Sequence, residues 1–127
     1  MKQLGNFFSS VKLGYNHTRN GVLVQKNRST ILVAKKMYDL GFVRGFSLNT
    51  IKVYKMFLFL KYYKNSPLFY HLKYVCSASK LKSVKVRKIK ERHCHGNVLT
   101  LFSTTQGLCT SIECVVLNQG GVLLFIM

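Results

Sequence analysis

A small α+β protein built from two domains is predicted by three observations. Leu4, Phe7, Phe8, Val11 and Tyr15 recur at spacings of three and four, one face of an amphipathic helix. Further along, β-branched and aromatic runs carry the period of strands, above all Ile51–Tyr63 and Val122–Met127. Late in the chain, Thr110 followed three residues on by Glu113 is a capping box that opens a second short helical stretch. A chain of 127 residues, 48% hydrophobic, can bury a modest core and is not a disordered tail. The expected domains are residues 1–64, ordered helix, strand, helix, strands, and residues 65–127, mostly strand with one short helix.

The first helix should span residues 3–15, with Asn6, Ser9, Ser10 and Lys12 on its polar face. His17–Gly21 is a turn with an Asn-Gly signal, and Val22–Lys26 a short strand. The second helix should be capped by Ser29, run to about Leu40 and stop at Gly41, which tolerates the left-handed conformation. Its Ile31, Ala34, Tyr38 and Leu40 are expected to pack on a sheet, with Lys35 and Lys36 outward. Phe42, Val43 and Phe46 begin a strand region interrupted at Gly45, and residues 47–50 form a turn. One long strand is expected over 51–63. Lys64-Asn65-Ser66-Pro67 contains the chain's one Pro and is the expected boundary between domains. Leu68–Val75 fits a strand or a short helix. Asn118–Gly121 is a turn before the final buried strand.

Charge narrows the function classes. Twenty Lys and Arg face three acids, Asp39, Glu91 and Glu113, for a formal charge of +17. Such an excess repels itself in a compact fold and calls for a polyanion, nucleic acid first and an anionic membrane surface second. Seven of the bases, with Glu91 as their one acid, crowd into Ser77–Arg92. That density favours attraction to phosphates over a merely solvated face. Catalysis is a distant third, because Glu113 caps a helix and Glu91 sits among bases. The four cysteines form no C-x-x-C pair, so neither a disulfide framework nor a zinc site is expected. His93-Cys94-His95 is read as a polar turn, because adjacent residues rarely share one tetrahedral metal. No cofactor and no small-molecule substrate are expected. The N-terminus lacks the features of a signal or import peptide, and the longest purely apolar run, Met56–Leu60, is far short of a membrane span.

The stretch Ser103–Thr110 gathers hydroxyls and Gly107 between an apolar strand over 98–102 and the helix that Thr110 caps. Read as a strand-to-helix turn, it presents free N–H groups and short hydroxyls to a phosphate, sugar or base edge. Ser/Thr turns with a Gly commonly do no more than cap a helix, and that reading stands beside the first.

The run S-T-T-Q-G-L-C-T, preceded by V-L-T-L-F and followed by G-G-V-L-L-F, resembles the closing signature of the family of the eighth protein of the small ribosomal subunit. Upstream, K-K-M-Y-D-L-G-F-V-R-G-F resembles that family's second helix and L-G-N-F-F-S-S-V-K-L-G its first. The resemblance covers nearly the whole chain in order. It implies a two-domain α+β protein that binds the central domain of small-subunit ribosomal RNA directly, helps organise the platform, and touches neighbouring small-subunit proteins but no membrane. The RNA-contacting loop of the family falls on Ser103, Thr104, Thr105 and Gly107, and its terminal turn on Gly120 and Gly121. Lys12, Lys26 and Arg28 fall where the family touches RNA backbone. The basic segment adds Lys85, Arg87 and Lys88. Thr105 stands where the family has Ser, Val122 where it has Glu, and Asn6 where its first helix opens with acid. No counterpart of its Ser-x-Pro-Gly is found in Cys76–Leu81.

Loss of acid and polarity, with a composition rich in Phe, Tyr, Lys, Ile and Asn, suggests an organellar version from an AT-rich genome. Mitochondrion is the first expectation and plastid the second, with translation inside the organelle. Two other classes are a membrane-surface protein, which needs a continuous basic amphipathic helix, and a small enzyme with Cys109 as nucleophile at a helix N-terminus.

Overall fold

The computed structural model describes residues 2–48, 50–67, 73–75, 81–94 and 99–126. Contacts divide the chain into two compact units, Lys2–Tyr70 and His71–Met127.

In the first unit, α1 (Lys2–Asn16) and α2 (Arg28–Asp39) cover one face of an antiparallel sheet of β1 (Gly21–Gln25), β3 (Lys55–Leu60) and β2 (Val43–Ser47), in that order. The apolar stripe of α1 does what its spacing predicts, since Leu4, Phe7, Phe8, Val11 and Tyr15 are all buried. They meet Val22 and Val24 of β1 and Met56, Leu58 and Leu60 of β3, which alternate inward. The Tyr15 hydroxyl donates to the Phe42 carbonyl at 3.2 Å, and burial pushes its pKa up to about 12. The second helix starts two residues earlier than its Ser29 cap would allow. Asn27 is its N-cap, and the Thr30 side chain accepts from the Asn27 N–H at 2.8 Å. Its buried face is accordingly Thr30, Val33, Ala34 and Met37, leaving Tyr38 half exposed. The stop is as expected. Gly41 takes φ +82°, and the N–H groups of Gly41 and Phe42 close on the carbonyls of Tyr38 and Met37.

The long strand expected over 51–63 is broken at both ends. Thr50 donates its hydroxyl to the carbonyls of Lys52 and Lys55 and holds a turn through 54, which leaves Ile51 and Val53 in solvent. After Leu60 the chain starts a separate hairpin, β4 (Tyr62–Tyr63) with β5 (Ser66–Pro67). Its loop, Lys64 and Asn65, has φ of +48° and +61°, a two-residue turn whose twist suits a hairpin. The stretch expected to be a linker is therefore an ordered turn inside the first unit. Of Leu68–Val75, β6 (Lys73–Tyr74) is strand, and 68–72 lie outside the described residues.

The second unit is built on β10 (Gly121–Ile126). One edge pairs along its length with β8 (Thr100–Thr104). The other edge pairs first with β7 (Ser83–Val84) and then with β6. Beyond β8 lies β9 (Gly107–Thr110). Two short helices, α3 (Val86–Arg92) and α4 (Ser111–Val116), pack on this sheet through Ile89, Cys114, Phe102, Cys109 and Leu123. The capping box on α4 is formed. Thr110 N–H donates to Glu113 Oε2 at 2.8 Å, and Glu113 N–H donates to the Thr110 hydroxyl at 3.4 Å. No described helix is long and apolar enough to cross a membrane.

Two stability measurements check this packing. Thr110→Ala removes the cap and should lower the unfolding free energy by about 1 kcal/mol in a urea titration. Thr100 is fully buried in β8 with no hydrogen-bond partner for its hydroxyl. Thr100→Val should therefore raise stability by about 1 kcal/mol, because the shape is kept and the unpaired polar atom goes; an unchanged or lower midpoint would contradict the unsatisfied hydroxyl.

Candidate nucleic-acid interface

Ser103–Thr110 is a β-hairpin and not a strand-to-helix turn. Ser103 and Thr104 end β8, Thr105 and Gln106 make the turn, and Gly107 opens β9 with φ +115°. That φ suits Gly, and a side chain at 107 would meet no atom, so the constraint there is conformational. The three hydroxyls are not equivalent. Thr104 donates to the Gly107 carbonyl at 2.8 Å and accepts from the Gln106 N–H at 3.3 Å, which ties it into the turn. Thr105 is exposed and lies 3.5 Å from the Gln119 side-chain oxygen, beyond a strong O–H···O bond. The Ser103 hydroxyl has no hydrogen-bond partner among the described residues.

Gly120 and Gly121 serve packing. A Cβ at 120 would lie 2.6 Å from the Val84 carbonyl oxygen, and one at 121 would lie 2.7 Å from the Ser103 carbonyl oxygen. The close approach puts Ser83–Val86, Ser103–Thr105 and Gly120–Val122 around one open depression of about 430 Å³. Six of the sequence-predicted site residues meet there: Ser103, Thr104, Thr105, Gly120, Gly121 and Lys85. Ser83, not singled out, and Val122, noted only as a departure from the family's Glu, line it too. Their place follows from Val122 pairing with both Ser83 and Ser103, a register that no local spacing reveals.

Lys85 is the N-cap residue of α3, and Arg87 and Lys88 are exposed on that helix. The second half of the basic segment is thus helical. The helix is seven residues long, too short for the continuous basic amphipathic helix that a membrane-surface role needs. Arg87 meets Glu91 at 3.3 Å, but both side chains are largely in solvent, so the pair leaves Arg87 available at little cost. Gly107 stands across the hairpin turn from the depression. Lys12, exposed on α1, and Lys26 and Arg28, at the junction of β1 and α2, belong to the first unit.

Among the described thiols, the two nearest the α4 helix are buried. Cys109 is buried in β9, and burial with the neighbouring Cys109 and Glu113 pushes the Cys114 thiol up to about 11. His93 is held below the usual imidazole range by burial and by Arg92, and its ring meets Phe102 edge-on. His95, of the expected His-Cys-His turn, lies outside the described residues.

Comparison with known proteins identifies the family. The family model for ribosomal protein S8 matches residues 2–127. The chain is 31% identical over 124 residues to the small ribosomal subunit protein uS8m of Acanthamoeba castellanii, covering 95% of this chain and 94% of that one. It is 29% identical over 102 residues to the protein of the same description from Dictyostelium citrinum, covering 80% of this chain and 61% of that one. The match runs through both units and includes the hairpin, the capped helix and the Gly-Gly turn in order, so the chain belongs to the ribosomal protein S8 family.

Proposed function

We propose that the protein is a structural constituent of the mitochondrial small ribosomal subunit that binds the central domain of its ribosomal RNA directly and helps organise the platform. Its family is one of ribosome components and not of enzymes. The compartment rests on the two relatives, both described as uS8m. Neighbouring small-subunit proteins are its other partners. The RNA-binding surface is placed on the second unit, with Lys12, Lys26 and Arg28 of the first unit adding contacts to RNA backbone.

One observation carries the RNA reading. Short hydroxyls of Ser103 and Thr105, the backbone of Gly120–Gly121 and the cation of Lys85 converge on one open depression. A-form RNA closes its deep groove to side chains and offers a shallow one lined by 2′-hydroxyls and base edges. Short hydroxyls on a rigid hairpin suit that groove. Lys85, Arg87 and Lys88 at the start of α3 suit the phosphates beside it.

Two experiments test this division. Ser103→Ala and Thr105→Val should each weaken binding to the cognate RNA helix by roughly 1–3 kcal/mol, the cost of leaving a buried RNA group unpaired. Binding to random RNA should be unchanged. Neither change disturbs the hairpin, whereas Thr104→Val also removes the bond to Gly107. Cognate binding equal to the parent's in both variants would reduce the hairpin to a structural cap.

Salt supplies the second test. With about 5–8 phosphate contacts, the log–log dependence of affinity on salt should have a slope of about −3 to −7, at roughly 0.7–0.9 per phosphate. Replacing Lys85, Arg87 and Lys88 together by Gln should make that slope shallower and weaken all RNAs alike, because phosphate contacts carry no sequence information. A flat salt response in the parent, or a loss confined to the cognate RNA in the triple variant, would overturn this assignment.

A further inference from the structure

The helices of the first unit cover only one face of its sheet. On the other face, Leu23 and Phe59 are 49% and 41% exposed, and Phe57 is half-buried. The register sets Leu23 opposite Phe57 and Gly21 opposite Phe59. The Phe57 ring lies down over Gly21, where a Cβ would strike it, and meets the Phe59 ring edge-on at 4.8 Å between centroids. On the far side of Phe59 its partner is Gly45, where a side chain would meet nothing within 4 Å. One aromatic ring therefore stands beside a bare strip of backbone, open to solvent and held upright by a second ring.

Cations frame this gap. Arg44 is exposed at the bulge of β2 beside Phe59. Lys55 begins β3, and Lys61 follows its end. Residues 2–70 contain twelve Lys and Arg and one acid, Asp39, which lies at the end of α2 and not on the sheet. A protein segment covering this face would have to bring carboxylates to neutralise those cations. Single-stranded RNA brings both a flat base for the ring and phosphates for the cations.

We infer that the outer face of the N-terminal sheet is a stacking platform for an unpaired RNA nucleotide, with its base on Phe59 above Gly45 and its phosphates near Arg44 and Lys61. Aromatic side chains on an open sheet are a recurrent solution for unpaired bases, because every base has a π-face. The site lies in a different unit from the hairpin depression and reads unpaired RNA, where the depression reads a helix. It goes beyond the proposed function without depending on it.

The test uses the full chain and a short single-stranded uridine oligonucleotide, compared with the same oligonucleotide made abasic. The parent should prefer the base-bearing strand by about tenfold, the size of one base–aromatic stack. Phe59→Leu and Gly45→Val should each abolish that preference and leave affinity for the cognate RNA helix unchanged. Gly45→Val fills open space, so it carries the test even where Phe59→Leu lowers the melting temperature. Equal binding of the two oligonucleotides by the parent, or a preference that survives both variants, overturns the platform. A photo-crosslinker at position 59 in intact small subunits should capture RNA, and capture of a protein there overturns it as well. Helix binding measured alongside separates this outcome from failure of the hairpin assignment.

Discussion

The second unit depends on how closely β10 can approach its neighbours. With a Cβ on either Gly120 or Gly121, the carbonyls of Val84 and Ser103 would be at 2.6–2.7 Å, too near for any real side chain. Their absence lets three segments far apart in sequence, around 83–86, 103–105 and 120–122, close on one another. Everything assigned to RNA in this unit inherits that approach. Lys85 is positioned because β7 pairs with Gly121 and Val122, and the hairpin hydroxyls because β8 pairs with Val122 and Leu123 on the other edge of the same strand. A missing side chain can thus define a surface through backbone packing.

Electrostatics acts on this frame in one direction. Glu113 is spent on the N-terminus of α4, where its carboxylate accepts from Thr110 and complements the helix dipole. Glu91 is paired in solvent with Arg87. Val122 lines the depression, and no carboxylate is among the residues that line it. With +17 on 127 residues, the isolated chain carries repulsion that only counterions or a polyanion can relieve. Binding RNA then stabilises the fold by the same interactions that give affinity.

What was legible in the sequence was local. The α1 stripe, the Gly41 stop and the Thr110–Glu113 box each depend on residues within one or two turns, and each formed as read. What was missed needed a partner distant in sequence or a competing local bond. Val84-Lys85-Val86-Arg87 alternates like a strand, yet α3 forms because Ile89 finds the core built by Phe102, Cys109 and Leu123. The apolar residues of 51–54 suggested strand, but the Thr50 hydroxyl closes a turn there instead. Ser29 looked a better cap than Asn27 until Thr30 reached back to the Asn27 N–H. The hairpin at 105–106 was hidden because Gly107-Leu108-Cys109-Thr110 is a strand too short to show a period, defined only by its pairing with β8.

That hairpin changes how its hydroxyls must be understood. Along a strand, successive side chains point to opposite faces. Thr104 shares a face with Phe102 and lies 3.6 Å from the Cys109 sulfur across the strand pair, so it turns toward the helices. Ser103 turns the other way, and Thr105 stands free at the tip. A motif that reads as three equivalent hydroxyls in sequence therefore divides its work. The middle one holds the turn together through Gly107 and Gln106, and the outer two take no part in those bonds. The Thr at 105 keeps its hydroxyl and adds only a methyl, which solvent accommodates at the exposed tip.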